Sequence, residues 1–196
     1  RQNGVNAITI REDDQVIQVR LTTGDSQIVI ANRHGRAIRF HESAVREMGR
    51  NATGVKGMTL DNDDDAVVGM ICVNDPEKET IMVVSEQGYG KRSLIEDYRI
   101  TNRGGKGVKT LNITDKTGYL VAIKCVTDEN DLVIINKSGI TLRMKVADVR
   151  VMGRATQGVR LINLEKRNDE IASVCKVLSD SVDENMQDDS VTEIAE

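Results

Sequence analysis

Short apolar runs separated by polar turns cover most of the chain. Three of them, QIVIAN from Gln27, TIMVVS from Thr80 and DLVIIN from Asp131, are each followed within a few residues by a glycine. The runs are rich in Val and Ile, and no apolar pattern of helical period extends through them. Glycine at these points supplies the positive φ that a tight hairpin needs. The pattern therefore predicts an all-β protein of hairpins, with β-turns around residues 32–36 and their equivalents.

One unit of about 50 residues occurs three times. Gly35, Gly88 and Gly139 occupy the same place in the three copies and lie 53 and 51 residues apart. A second pattern, R-x-x-x-G-V-[KR], recurs at the same spacings and begins at Arg50, Arg103 and Arg154. Two agreeing offsets predict a repeat architecture of propeller-like blades with about four antiparallel strands each. A single β-sandwich with accidental internal likeness is the alternative.

The repeats divide the chain into five parts. Repeat 1 covers residues 26–78, repeat 2 covers 79–130 and repeat 3 covers 131–178. Residues 1–25 match the second half of the unit, so we interpret them as the remnant of a preceding blade whose strands pair with repeat 1. The chain opens on Arg1 inside a repeat, which is typical of an excised fragment. Residues 179–196 form the fifth part, a tail.

Charge is distributed unevenly along the chain. The formal net charge is -4, but the tail holds seven acids and no base. Such a segment, without apolar periodicity, is expected to be disordered and to compete with phosphate for basic surfaces. Residues 26–178 hold 24 Lys and Arg against 20 Asp and Glu. The body is therefore basic, which removes the first argument against a nucleic-acid partner.

Within each repeat the bases are concentrated in one window. Residues 33–56, 88–109 and 137–160 together contain 18 bases and 5 acids, whereas the stretches between and after them contain 6 bases and 15 acids. A regular stripe of cations suits the phosphate backbone of duplex DNA. The alternative is that these charges only solvate strand edges. The candidate DNA-binding residues are Arg39, Arg46, Arg50, Lys56, Lys91, Arg92, Arg99, Arg103, Lys106, Lys109, Arg143, Lys145, Arg150, Arg154 and Arg160.

Aromatic content favours double-stranded over single-stranded DNA. Only 2% of the residues are aromatic and none is Trp. Proteins that hold single strands stack the bases on aromatic side chains, and this chain offers no such platform.

The residues that carry these patterns also resemble a known family. GYGKR from Gly88, ITNRGGKGV from Ile100 and VMGRATQGVRLI from Val151 are similar to blades of the C-terminal domain of DNA gyrase A, a β-pinwheel. The resemblance implies a non-catalytic module that wraps duplex DNA and supports ATP-dependent negative supercoiling by a type IIA topoisomerase. The implied partners are double-stranded DNA, the rest of gyrase A, and gyrase B in an A2B2 complex. The implied location is the bacterial cytoplasm, at the nucleoid.

Two alternatives remain beside the gyrase domain. The corresponding polypeptide of topoisomerase IV has a related C-terminal domain, although an acidic tail is more familiar in gyrase. A protein-interaction propeller is the other, because propeller folds host many functions.

The family's gyrase box, Q-R-R-G-G-K-G, is present only in degenerate form. Residues 101–107 read T-N-R-G-G-K-G, so the leading Gln and Arg are missing. Glycines let backbone amides approach phosphate, so DNA contact is expected here. A glycine-rich turn with no special contact is the alternative. The residues in question are Arg103, Gly104, Gly105, Lys106 and Gly107.

No catalytic or metal site is predicted. Gly107 and then Val108 follow Lys106 in G-G-K-G, where a P-loop needs Ser or Thr directly after its lysine. Asp61, Asp63 and Asp65 begin like a calcium loop, but Ala66 replaces the required glycine. No histidine, cysteine or serine falls into a nucleophile or zinc pattern. The resemblance implies that ATP and magnesium are used elsewhere in the enzyme, so no cofactor is expected in this chain.

The cysteines are expected to be reduced and buried. Cys72, Cys125 and Cys175 are odd in number, far apart and set in apolar runs. Such spacing suits structural thiols in a reducing compartment.

Overall fold

The computed structural model describes residues 4–164 and 168–179. These contain no α-helix, and none of their helical segments is long and apolar enough to cross a membrane. The predicted all-β class is confirmed. The strands are β1 (Gln27–Asn32), β2 (Arg36–His41), β3 (Val67–Val73), β4 (Thr80–Ser85), β5 (Tyr89–Leu94), β6 (Val108–Lys109), β7 (Leu120–Val126), β8 (Asn130–Asn136), β9 (Thr141–Lys145), β10 (Val159–Arg160) and β11 (Ile171–Leu178). Three 3₁₀ turns, η1 (Glu42–Ala44), η2 (Ile95–Asp97) and η3 (Val146–Asp148), follow β2, β5 and β9.

The strands form three antiparallel sheets, one for each repeat. The strand orders are β3-β1-β2-β6, β10-β5-β4-β7 and β11-β8-β9. Repeat 1 supplies only three strands of the first sheet. The fourth strand of that sheet, β6, comes from repeat 2. In the same way β10 of repeat 3 completes the second sheet. Each four-stranded sheet is thus closed by the next repeat, an exchange that the expectation of about four strands per unit did not include.

The predicted hairpin turns are present in all three repeats. The glycine N–H donates to a carbonyl three residues earlier: Gly35 to Asn32 (3.2 Å), Gly88 to Ser85 (3.1 Å) and Gly139 to Asn136 (3.0 Å). All three glycines have positive φ, between 76° and 85°. This conformation is strained for other residues, which explains why glycine recurs there.

Two core clusters lie between the sheets, and a third lies within repeat 1, around Phe40. In β4, Ile81 and Val83 pack toward repeat 1, while Met82 and Val84 pack toward repeat 3. All six residues of β4 are buried, so the second sheet is covered on both faces. Because side chains alternate along a strand, a fully apolar run such as TIMVV fits a sheet between two layers.

Residues 4–26 depart from the expected arrangement. They form no strand, so the prediction that remnant strands pair with repeat 1 is wrong for this segment. The segment contacts repeat 1 through isolated hydrogen bonds, such as Thr9 N–H to the Ala52 carbonyl (3.2 Å) and Met70 N–H to the Gln18 side-chain oxygen (2.9 Å). In repeats 1–3 the last long strand pairs with the first strand of its own repeat. Residues 4–25 contain no such first strand, so their apolar runs lack a ladder partner. All but the first residue of the acidic tail lies outside the described residues.

Candidate nucleic-acid interface

One arginine per repeat follows a 3₁₀ turn and points into solvent. Arg46, Arg99 and Arg150 each lie two residues after the end of η1, η2 or η3. All three are exposed, and none has a hydrogen-bond or ion-pair partner among the described residues. The turn repeats because its C-terminal cap is the same each time: the N–H of Val45, Tyr98 or Val149 closes back on the first carbonyl of the turn. The fold therefore presents three cations at equivalent places.

Other predicted cations are also exposed but differ in their partners. Lys106 lies 3.4 Å from a carboxylate oxygen of Asp61, and Lys109 donates to the Asn112 side chain at 3.2 Å. Arg160 stacks near the ring of Tyr89 and donates to its hydroxyl at 3.1 Å. Residues of this exposed group are Arg50, Lys56, Lys106, Lys109, Lys145 and Arg160.

Arg39 and Arg92 are not on the surface. They are only 8% and 7% exposed, which contradicts their predicted place on a DNA-binding stripe. Arg39 Nη1 donates to the carbonyls of Ile95 and Tyr98 (2.8 and 2.9 Å) in the next repeat. Arg92 Nε donates to the Val149 carbonyl of repeat 3 at 2.7 Å and its Nη1 to Asp128 at 2.5 Å. Both arginines tie one repeat to the next.

Lys91 is fully buried, so its predicted surface role is also wrong. Its Nζ donates to the Gly153 carbonyl at 2.7 Å and to the Arg154 carbonyl. Burial lowers the pKa of Lys91 to about 8, against a partial opposing effect of Asp97. The two carbonyls belong to repeat 3, so this lysine too stabilises the packing between repeats.

Arg103 and Arg154 connect the repeats in the opposite direction, since each donates to the preceding repeat. Arg103 donates to the carbonyls of Ala44 (2.8 Å) and Lys56 (3.0 Å) in repeat 1. Arg154 donates to the carbonyls of Asp97 (3.0 Å) and Lys109 (3.0 Å) in repeat 2. These acceptors occupy equivalent positions, so the arginine of R-x-x-x-G-V-[KR] is an inter-repeat clamp. Arg50, at the same position in repeat 1, is exposed.

Arg143 takes a third arrangement. Its Nε donates to Asp131 at 2.7 Å within repeat 3, and that contact helps to lower the pKa of Asp131 after the hydrogen bond from Ser179. Arg143 is the counterpart of Arg39 and Arg92, and its bond to Asp131 lies within its own repeat.

The structure also assembles a cluster that sequence reasoning did not predict. Ligand atoms of His34, Asp61 and Asp65 lie within 4.8 Å of one another. The Asp65 carboxylate already accepts from the Asn32 amide and from backbone N–H groups, including that of Asp61 at 3.1 Å. Asp61 in turn pairs with Arg36 at 3.3 Å. These contacts organise the loop before β3.

Comparisons with known proteins agree with this geometry. The sequence profile of a family described as "DNA gyrase C-terminal domain, beta-propeller" matches residues 1–23, 26–74, 79–127 and 130–175. The chain belongs to this family. It is 47% identical over 191 residues to the DNA gyrase A polypeptide of Staphylococcus aureus strain NCTC 8325 / PS 47, covering 97% of the chain. It spans only 21% of that relative's length.

Two solved structures share the fold. A DNA gyrase A C-terminal domain superposes with a TM-score of 0.81 at 27% identity, over 90% of this chain and 59% of that one. The C-terminal domain of a DNA topoisomerase IV gives the same TM-score, 0.81, at 26% identity, over 88% of this chain and 53% of that one. The likeness confirms the predicted β-pinwheel architecture.

In this gyrase-family domain the degenerate box packs between repeats. Gly104 N–H donates to the Gly57 carbonyl at 2.6 Å, and the Thr59 hydroxyl donates to the Gly104 carbonyl at 2.6 Å. The Gly104 amide and the Arg103 guanidinium are therefore already bound within the protein. Gly105 and Lys106 are the exposed members of the motif.

Proposed function

We propose that this chain is a non-catalytic module that binds and bends duplex DNA, as part of the gyrase A polypeptide of a bacterial DNA gyrase. The observation that carries the proposal is the set of unpaired, exposed arginines at equivalent places in three stacked repeats, Arg46, Arg99 and Arg150. Cations repeated at equivalent places suit the regularly charged phosphate backbone and need no base contacts. Binding should therefore be independent of DNA sequence.

The 47% identity to gyrase A of Staphylococcus aureus supports gyrase over topoisomerase IV. In this proposal the module presents DNA to an assembly of two gyrase A and two gyrase B polypeptides in the cytoplasm, at the nucleoid. Strand cleavage, ATP and magnesium belong to other parts of that assembly.

The test compares two triple variants of equal charge. Arg46, Arg99 and Arg150 are replaced together by Ala in one; the exposed residues Arg11, Lys78 and Lys116 are replaced by Ala in the control. Affinity for duplex DNA is measured by fluorescence anisotropy at several salt concentrations.

The first variant should bind more weakly, with the slope of log affinity against log salt reduced by about 3, because each lost phosphate contact removes about 0.9. The control should keep the slope of the unmodified chain. Equal slopes in the two variants would show that the arginines do not contact phosphate, and salt-insensitive binding would reject the proposed function itself.

A further inference from the structure

A cavity of about 510 Å³ lies at the sheet edges farthest from β6 and β10. It forms where β3, β7 and β11 come together, the strands that contain the three cysteines. We call it the hub pocket. The lining includes Arg20, Cys72, Glu79, Lys124, Cys175 and Lys176. Cys175 is exposed and Cys72 is half-buried, so the prediction of buried thiols is confirmed only for Cys125.

The hub pocket holds three cations that bind no acceptor within the described residues. Arg20, Lys124 and Lys176 have no hydrogen-bond or ion-pair partner among residues 4–164 and 168–179. Glu79 is the one carboxylate in the lining. Its Oε2 already accepts the N–H groups of Asn74 (2.8 Å) and Asp75 (3.0 Å). The pocket is therefore positively charged.

Lys124 stands where the preceding repeat has a core isoleucine. It pairs with Met82 across β7 and β4, as Ile71 pairs with Val29 across β3 and β1. Ile71 is 4% exposed and packs in the core. Burial lowers the pKa of Lys124, the Cys175 thiol opposes the shift, and the nearby charges of Arg20 and Lys176 lower it further. An ammonium in such a place costs free energy unless it finds an acceptor.

We propose that the hub pocket binds a small phosphate-class oxyanion, with Lys124, Lys176 and Arg20 as its ligands. A guanidinium and two ammonium groups supply the charge-assisted donors that phosphate oxygens accept. The site is distinct from the proposed DNA surface: β3, β7 and β11 each form one edge of a sheet, whereas Arg46, Arg99 and Arg150 follow β2, β5 and β9, which lie on the other side of the first strand of each repeat.

The test measures thermal unfolding with pyrophosphate or orthophosphate, against sodium chloride of the same ionic strength. A ligand that binds only the folded state raises Tm. The unmodified chain should gain several degrees with pyrophosphate, and titration calorimetry should find one site. Lys124→Ile should lose this gain, yet unfold at a higher Tm than the unmodified chain without anion, because it restores the residue of repeat 1. Lys116→Ile, at an exposed loop position, is the control and should keep the gain.

Lys176→Gln serves as a second variant, since it alters an exposed side chain and should reduce the pyrophosphate affinity at least tenfold without loss of folding. Equal pyrophosphate affinity in the unmodified chain, Lys124→Ile and Lys176→Gln would overturn the proposal. The proposal would also be overturned if Lys124→Ile lost affinity for duplex DNA but kept its affinity for pyrophosphate. DNA binding through Arg46, Arg99 and Arg150 is measured separately, so the two proposals fail independently.

Discussion

Replacing one glycine at the boundary between repeats 2 and 3 tests how closely the repeats pack. Gly158 belongs to R-x-x-x-G-V-[KR] and has a φ of +81°. A Cβ there would lie 2.6 Å from the Gly90 carbonyl oxygen and 3.0 Å from its carbon. Gly54 is the same position in repeat 1, with a φ of +90° and no atom within 4 Å of such a Cβ. Gly158→Ala and Gly54→Ala therefore share the backbone strain and differ in the steric conflict.

The expected losses follow from these two terms. A left-handed backbone costs a residue with a Cβ about 1–2 kcal/mol, and this applies to both variants. At Gly158 the new methyl group also meets the backbone of β5, which is held by pairing of Val159 with Gly90 and cannot move as a flexible side chain would. Overpacking of this kind costs about 1–3 kcal/mol more. We expect a loss of about 1–2 kcal/mol for Gly54→Ala and about 2–5 kcal/mol for Gly158→Ala.

Urea unfolding followed by far-UV circular dichroism measures both losses, since the chain has no Trp to serve as a fluorescence probe. Amide hydrogen exchange localises the effect: the Leu161 N–H, which donates to the Gly88 carbonyl at 2.8 Å, should exchange faster in Gly158→Ala alone. Gly107→Ala, where the Cβ would lie 2.6 Å from the Ala37 carbonyl carbon, repeats the experiment between repeats 1 and 2. Equal losses in Gly54→Ala and Gly158→Ala would refute the reasoning.

Two further predictions concern the same boundaries. Because the folded pKa of Lys91 is lowered from 10.5 to about 8, its contribution to stability is lost as pH falls through 8 and is fully present above 10.5. The free energy of unfolding of the unmodified chain, relative to Lys91→Met, should thus rise between pH 8 and 10.5 by up to about 3 kcal/mol; a flat difference would contradict the buried ammonium. Arg103→Ala should cost about 1–2 kcal/mol in urea unfolding, because two carbonyls lose a charged donor. Arg99→Ala, at an exposed and unpaired arginine, should stay within about 0.5 kcal/mol, and similar losses in both variants would argue against the clamp.

The repeats, the strands and the hairpin turns could be predicted because each depends on local signals. Val and Ile runs, turn glycines and a constant spacing describe a blade without knowledge of its neighbours. The exchange of β6 and β10 between sheets could not be predicted, because a two-residue strand has no periodicity of its own. What marked these strands in the sequence was the recurrence of G-V-[KR], which was interpreted as charge and not as pairing.

Some basic residues make contacts between repeats and others are exposed, and composition alone could not distinguish the two groups. Arg92 and Arg99 lie in the same window, yet Arg92 is buried and Arg99 is exposed. The bonds that join one repeat to the next, from Arg39, Arg92 and the two clamps, all end on backbone carbonyls, and a carbonyl leaves no signature in a sequence. The clamps at Arg103 and Arg154 recur for structural reasons, although their recurrence suggested a DNA surface.

This division limits how many phosphates the predicted stripe can neutralise in the proposed DNA complex. Of the fifteen predicted cations, Arg39, Lys91 and Arg92 are buried, Arg103 and Arg154 are clamps, and Arg143 is paired with Asp131. Nine exposed cations outside these roles remain, so in the proposed DNA complex the predicted stripe should contribute about 8 to the slope of log affinity against log salt, where fifteen contacts would give about 13.5. Some cations of each basic window therefore make contacts between repeats, and the others are exposed on the surface. Substitutions that remove charge from the first set should act on folding, and those that remove it from the second should act on DNA.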